Sequence, residues 1–386
     1  MKMISKHKSS STKDEAREIE KKQIAERMYT ASQAQLIFWR FRKHRLAIVA
    51  LVVLVLLYLG AIFAGFATPY KLDTRFKNYK DAQPSTLHWR HKGEFIGPFV
   101  YGIEQTTDIE TFRRTFVEDE ETPYRIYFFA RGDEYKFWGL FPTKIHLFAV
   151  ENPEIPLFLF GSDSLGRDIF SRVIHGSRVS LTIGLIGVFI SFFAGIFIGG
   201  LSGFLGGTVD NIIQRIIEFI LSLPQIPLWM ALAAAMPRDW PAIKSYFFIT
   251  IILSIVGWCR LARVVRGKVM SLANEDFVVA AELFGSSMPR TMIVHLVPAF
   301  FSHLIVSITL AIPGMILGET ALSFLGLGMQ PPAVSWGVLL QDAQKIQVLA
   351  QAPWKLIPVI FVVVTVLMFN FLGDGLRDAA DPYESR

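Results

Sequence analysis

Few polar side chains in this chain stand at spacings that do chemistry. His295 and His303 lie eight residues apart on one predicted helix face, beyond the reach of a single metal ion, and read as packing residues. There is no His-Glu-x-x-His motif and no Gly-x-Ser-x-Gly elbow with triad partners. No Gly-x-x-x-x-Gly-Lys-Ser/Thr loop is present to cradle a phosphate. The lone cysteine, Cys259, excludes an intramolecular disulfide and a cysteine-rich zinc site. Arg260, Arg263 and Arg266 recur every third residue, as in a voltage-sensing helix. Only Arg260 adjoins an apolar stretch, so the three read as basic anchors at a helix end. The chain is expected to hold no metal, to have no catalytic residue and to bind no cofactor of its own.

What remains is chemistry of packing and docking. Ser191, Gly195, Gly199 and Gly203 repeat every fourth residue, a stripe that lets another helix backbone approach closely. Self-association, pairing with a related chain and internal packing all fit it. Pro224 and Pro227 interrupt a second apolar stretch near Arg215 and Glu218. Broken helices beside polar groups line substrate paths, which makes Pro224, Gln225 and Pro313 candidates for one. The segment Phe277-Val-Val-Ala-Ala281-Glu-Leu-Phe-Gly285 reads as a short amphipathic helix ended by a glycine. Its small alanines would let it enter a groove on another protein.

These features need a frame, and composition says which. Hydrophobic residues make up 52% and charged residues 19%, against roughly 45–50% and about 25% in soluble domains. Leu46 to Ala67 carries no charge. At about 1.5 Å per residue it reaches the ~30 Å of a hydrocarbon core. The hydrophilic residues ahead of it and its length beyond a signal h-region favour a signal anchor over a cleaved signal peptide. Further uncharged stretches run over Val179–Val209, Phe219–Pro237, Ser245–Cys259, Leu304–Leu317 and Leu356–Gly373. Six transmembrane helices follow. Lys and Arg outnumber Asp and Glu in residues 1–45, and Arg40, Arg42, Lys43 and Arg45 abut the first span. The positive-inside rule then puts both termini, and the 260–290 segment, in the cytoplasm. Ser32 would cap an interfacial helix through Gln35–Phe41 or begin an extension of the first span.

The expected division is therefore a cytoplasmic arm over 1–45, a first span over 46–68 and an extracytoplasmic insert over 69–178. A five-helix core over 179–376, containing the short helix at 276–285, and a tail over 377–386 complete it. Within the insert, Tyr124–Ala130 and Tyr135–Phe141 flank Arg131-Gly-Asp-Glu134 and predict a hairpin turning there. Lys144–Val150 and Pro156–Phe160 predict two more strands. The fold class is an all-α membrane protein with a small β-rich insert between helices one and two.

With these residues in place a resemblance becomes specific. Permeases of ATP-binding-cassette importers carry Glu-Ala-Ala, three residues, Gly, nine residues, then Ile-x-Leu-Pro. Here Ala280-Ala281, Gly285 and Pro298 keep that spacing, while Val279, His295 and Val297 depart from it. Gly161-Ser-Asp-Ser-Leu-Gly-Arg-Asp-Ile-Phe-Ser-Arg172 with Gly176-Ser-Arg-Val-Ser-Leu181 resembles the dipeptide, oligopeptide and nickel branch. So do Leu322-Ser-Phe-Leu-Gly-Leu-Gly328 with Ser335-Trp-Gly337, and Gly373-Asp-Gly-Leu-Arg-Asp-Ala-Ala-Asp-Pro382.

The resemblance implies a type I importer permease fold in a bacterial inner membrane. Its partners would be a homologous second permease, two ATPase subunits carrying ATP and Mg, an extracytoplasmic substrate-binding protein and membrane lipid, with no nucleic acid. Phe277, Ala280, Ala281, Glu282, Leu283 and Gly285 would form the coupling helix seated in an ATPase cleft. Peptides head the list of solutes, ahead of nickel chelates, glutathione and oligosaccharides. An anchored sensor and a stand-alone ion-coupled transporter are the competing classes. The sensor would lack a permease and ATPase partners, and the ion-coupled transporter would want paired charges within the spans.

Overall fold

A computed structural model describes residues 33–107, 114–137, 139–152, 154–237 and 239–380. The N-terminal residues 1–32, with the cap expected at Ser32, and the last six of the tail lie outside the described residues. Backbone polar groups in hydrocarbon must be satisfied within their own segment, so each long uncharged stretch is helical. The short helix α1, Gln33–Phe41, leads into α2, Arg45–Ile62, whose first turn is capped by His44 accepting from the Ala47 N–H at 3.1 Å. After a further turn of helix, α3 at Ala64–Ala67, the chain enters the insert.

It returns as α4, Ile169–Leu205, then α5, Gly207–Ser222, and α6, Gln225–Ala234. Next come α7, Ala242–Leu272, the short α8, Asp276–Leu283, and α9, Phe301–Phe324. A six-residue helix, α10 at Trp336–Gln341, precedes α11, Ile357–Ala380. Among the described residues α2, α4, α7, α9 and α11 are long and apolar enough to cross a membrane. The core runs between them through Leu181, Ile183, Leu253, Ile316, Trp336 and Phe369.

The expected span at Phe219–Pro237 is not one straight helix. α5 and α6 meet at 88°, so the count is five spans, or six if the bent pair is one. Proline explains the break. Pro224 has no N–H to give, and the residue before a proline is pushed out of the helical region, as Leu223 is with ψ 137°. The helix expected from Val179 also starts earlier, at Ile169. Asp168 caps it by accepting from the Ser171 N–H at 2.7 Å, a local signal stronger than the loss of charge. Helix five is interrupted as well. Thr291–Leu296 is a π-turn and Val297–Ala299 one helical turn, with a kink at Phe300 before α9. Pro298 removes one donor from that ladder. His295 and His303 therefore sit on either side of a break.

The insert contains a four-stranded sheet in the order β1-β2-β3-β6 and a separate hairpin β4-β5. The strands are β1 His88–His91, β2 Glu94–Thr107, β3 Arg114–Phe128, β4 Arg131–Phe137, β5 Phe141–Ile145 and β6 Phe148–Val150. The hairpin expected to turn over Arg131–Glu134 does not form. Tyr124–Phe128 are held by β2 and β6, because β2 offers a long antiparallel partner with Val100 and Ile103 buried beneath it. Arg131–Asp133 are strand, and the hairpin turns beyond Phe137, where Gly139 takes a left-handed φ of 76°. The expected strand Lys144–Val150 is divided at the buried His146. Pro156–Phe160 is loop, its backbone tied to Ser85 and to the Tyr70 hydroxyl instead of to a ladder.

The insert is fastened to the helices. The Trp354 indole, in the turn ahead of α11, donates to the Ser162 carbonyl at 3.1 Å. Lys355, buried at the foot of α11, pairs with Asp81.

Candidate functional site

The small-residue stripe of α4 faces α7 within the same chain. A Cβ at Gly199 would stand 2.8 Å from the Ala262 Cα, and one at Gly195 2.8 Å from the Leu261 Cβ. At Gly203 it would meet the Arg266 carbonyl at 2.9 Å. The Ser191 hydroxyl donates to the Ser254 carbonyl at 3.3 Å, and the Ser254 hydroxyl to the Gly187 carbonyl at 3.0 Å. Two backbones in near contact, tied by reciprocal hydroxyls, are how helices associate where lipid supplies no hydrophobic drive. The three-residue arginine repeat separates by partner. Arg266 forks onto Asp210 of α5 at 2.5 Å, and Arg260 donates to the Gln225 amide oxygen at 2.7 Å.

Gln225 and Arg260 line a cavity of about 250 Å³ between α4, α6, α7 and α9. Its walls are otherwise apolar or small, among them Val256, Gly257, Ala311 and Gly314. Pro224 stands at the bend as the residue before α6. Pro313 is buried inside α9 and is not in the cavity wall, although its neighbour Gly314 is.

Helix α8 lies between α7 and the π-turn. Only Val278 is buried, in a cluster with Val265, Val269 and Leu296. Phe277, Val279, Leu283 and Phe284 are exposed, Phe284 by 92% and Leu283 by 83%. Glu282 is exposed and Ala280 and Ala281 are half-buried. The helix closes with the Ser286 N–H on the Ala281 carbonyl at 3.0 Å and the Gly285 N–H on the Glu282 carbonyl at 2.9 Å. Gly285 has φ 80°, the left-handed residue that such a close requires. Val278 is thus the one side chain that this helix buries in its own protein, while its aromatic and leucine side chains stand bare.

A third constellation joins stretches far apart in sequence. Glu319 of α9 is fully buried, accepting from the Ser180 hydroxyl at 3.1 Å and the Ser323 hydroxyl at 2.8 Å. The Trp336 N–H donates to Ser180 at 3.1 Å, and its indole to the Val173 carbonyl at 3.1 Å. The Met329 N–H reaches Ser323 at 3.0 Å. A buried carboxyl is tolerated when its oxygens are satisfied, and both are.

A family model described as "Binding-protein-dependent transport system inner membrane component" matches residues 195–385. A second, "N-terminal TM domain of oligopeptide transport permease C", matches residues 32–84. The oligopeptide transport system permease protein OppC of Bacillus subtilis is 31% identical over 344 residues, 89% of this chain and 87% of that one. The chain belongs to the family of binding-protein-dependent transport system inner membrane components. The dipeptide permease DppC of Bacillus subtilis is 40% identical over 58% of this chain and 68% of its own length. The OppC of Escherichia coli K12 is 41% identical over 58% and 72%.

In this permease component the stretches quoted for the resemblance meet in space. Gly176 and Ser180 abut Ser335 and Trp336, where a Cβ on Gly176 would lie 3.3 Å from the Ser335 carbonyl carbon. Gly337 packs on Thr320 and Ser323, and Gly375 on Ala47 and His44 of the first span. Two features escaped the sequence reading. Phe284 carries more exposed area than any residue singled out on α8, and its flag was an aromatic directly before the terminating glycine. Glu319 stands one turn before Ser323 near the end of α9, but its other serine partner, Ser180, comes from α4 and no local pattern points to it.

Proposed function

We propose that this permease component is one half of the translocation pore of an ATP-driven, binding-protein-dependent peptide importer. Both termini and α8 face the cytoplasm, and the β-rich insert faces the opposite side of a bacterial inner membrane. A homologous second permease completes the pore, and two ATPase subunits, which carry the ATP and Mg, sit beneath the pair. An extracytoplasmic binding protein delivers the solute. The permease itself has no catalytic role.

The observation that carries this is α8, a helix held by Val278 alone while Phe277, Leu283 and Phe284 stand bare. It fits a cleft on an ATPase subunit, with Ala280 and Ala281 allowing close approach, Glu282 giving a polar contact and Gly285 turning the chain back. ATP-driven closure would pull α8 and, through the π-turn and helical turn that follow it, α9, a rigid-body switch of the pore. Ser191, Gly195, Gly199 and Gly203 weld α4 to α7 so that the pair moves as one body. The cavity beside Gln225 and Arg260, just below the bend at Pro224, is the candidate entry to the path. Relatives named for oligopeptide and dipeptide transport support peptides as the solute.

Affinity purification of the chain in mild detergent, with mass spectrometry of its companions, tests the assignment. A second multi-span protein and P-loop ATPases are expected. Recovery of the chain alone, under conditions that preserve other complexes, would overturn it.

A further inference from the structure

The β4–β5 hairpin runs back toward the membrane, not away from it. Three contacts give its direction. A Cβ at Gly132 would lie 3.0 Å from the Pro69 carbonyl, Tyr135 packs on Gly65, and the Phe137 ring is 5.9 Å from that of Phe63. Strand β4 thus descends antiparallel to residues 63–69, from the insert toward the end of α2. The level of that end is marked independently. Arg178 of α4 donates from Nε to the Ala61 carbonyl at 2.6 Å and from Nη2 to the Ile62 carbonyl at 3.1 Å. A guanidinium on the last carbonyls of a membrane helix belongs at the boundary of the hydrocarbon.

Phe137 reaches that level with the turn still ahead of it. Phe141 is its cross-strand partner, and Leu140 and Phe141 are 71% and 68% exposed. From Phe137 to Thr143 the sequence has no charge. The charged groups stand higher on the hairpin, with Glu134 and Lys144 3.6 Å apart and the Asp133 carboxylate taken by the Lys71 N–H and the Thr74 hydroxyl. Alongside, α2 exposes Val55, Leu56, Leu59 and Ile62 up to the same end. An apolar tip at the hydrocarbon boundary, continuous with a bare membrane helix, is in the place where side chains with apolar bodies partition into the interface.

We propose that the turn at Gly139–Phe141 is a lipid-inserted wedge, seated among phospholipid acyl chains beside the outer end of α2. It anchors the insert to the bilayer at a second point, apart from its covalent attachment to α2. The occupant is lipid; a protein partner covering the same tip is the alternative that the test separates. This goes beyond the transport assignment and holds whatever the solute.

The test uses the full chain in its assembled complex, reconstituted in phosphatidylcholine vesicles. A single cysteine, Leu140→Cys in a Cys259→Ser background, carries an environment-sensitive fluorophore, and Glu94→Cys at the exposed β1–β2 turn serves as the aqueous reference. Lipid bearing a nitroxide at acyl carbon five is expected to quench the label at 140 at least about threefold more than the label at 94, with aqueous iodide showing the reverse order. Iodide quenching at 140 equal to that at 94 would overturn the wedge. Protection from both quenchers would overturn it too, by showing protein on the tip.

Discussion

Gly199 of α4 and Ala262 of α7 lie backbone against backbone, with room for no side chain between them: a Cβ on the glycine would stand 2.8 Å from the alanine Cα. The stripe from Ser191 to Gly203 is therefore spent inside the chain, on the seam that joins the two longest helices.

Substitution at that seam acts on the chain itself. Gly199→Leu should force α4 from α7 and destabilise the helical core by about 1–3 kcal/mol or more, the usual cost of overpacking. A lower melting temperature of the purified chain, before any partner is added, is the expected result. Normal melting combined with loss of a partner permease would place the stripe at an intersubunit face instead.

Glu319 supports a different seam. Glu319→Leu would take away the acceptor for the hydroxyl protons of Ser180 and Ser323, at about 1–3 kcal/mol for each buried donor left unpaired. Glu319→Gln keeps an acceptor and the shape. Thermal unfolding in detergent should rank wild type and Glu319→Gln together, with Glu319→Leu well below. Equal melting of all three would mean that the carboxyl is not what holds α4, α9 and Trp336 together.

Stability should also depend on pH through Asp168. Burial pushes its carboxyl up to about 7 from the ordinary 3.8, against hydrogen bonds from Ser171 and Phe170 that favour the charge. The folded chain thus keeps a proton that the unfolded chain has already released between about 4 and 7. Stability falls as pH rises through that window and levels off above it. In Asp168→Asn, which retains a capping oxygen, this component of the slope should vanish. Melting curves at pH 4.5 and 7 for both chains give the comparison, and identical pH slopes would contradict the assignment.

Much of the fold was legible in the sequence because hydrocarbon enforces a simple rule: an uncharged stretch of sufficient length must be helical. The spans at Leu46–Ala67 and Leu356–Gly373 illustrate it. What was hidden depended on proline and on partners. The interruption at Pro224 was readable, but not that it turns the chain through 88° and leaves two separate helices. Strand pairing in the insert depended on β2, whose claim on Tyr124–Phe128 no local pattern around Arg131–Glu134 could reveal. Glycine spacing identified a packing face on α4, but a repeat alone does not say which helix lies against it. On α8 the helix and its terminating Gly285 were readable from composition, whereas the exposure of Phe284 followed only from how the helix lies.

The coupling role proposed for α8 gives the sharpest functional expectation. Ala281→Arg puts a charged, bulky side chain where close approach is needed, and Gly285→Trp imposes a Cβ at φ 80°. Ala281 is half-buried and Gly285 is exposed, with nothing within 4 Å of a Cβ there. Membrane insertion should be unaffected and recovery of the ATPase subunits with the permease strongly reduced, which a pull-down quantified against wild type measures. Unchanged recovery would move the docking surface off α8.

The most direct measurement is uptake of a labelled oligopeptide into vesicles holding the purified complex and its binding protein, with and without ATP. Wild-type permease should accumulate the peptide only with ATP, and Ala281→Arg at the same membrane level should accumulate none. ATP-independent uptake, or equal uptake by Ala281→Arg, would contradict the assignment of an ATP-driven importer coupled through α8.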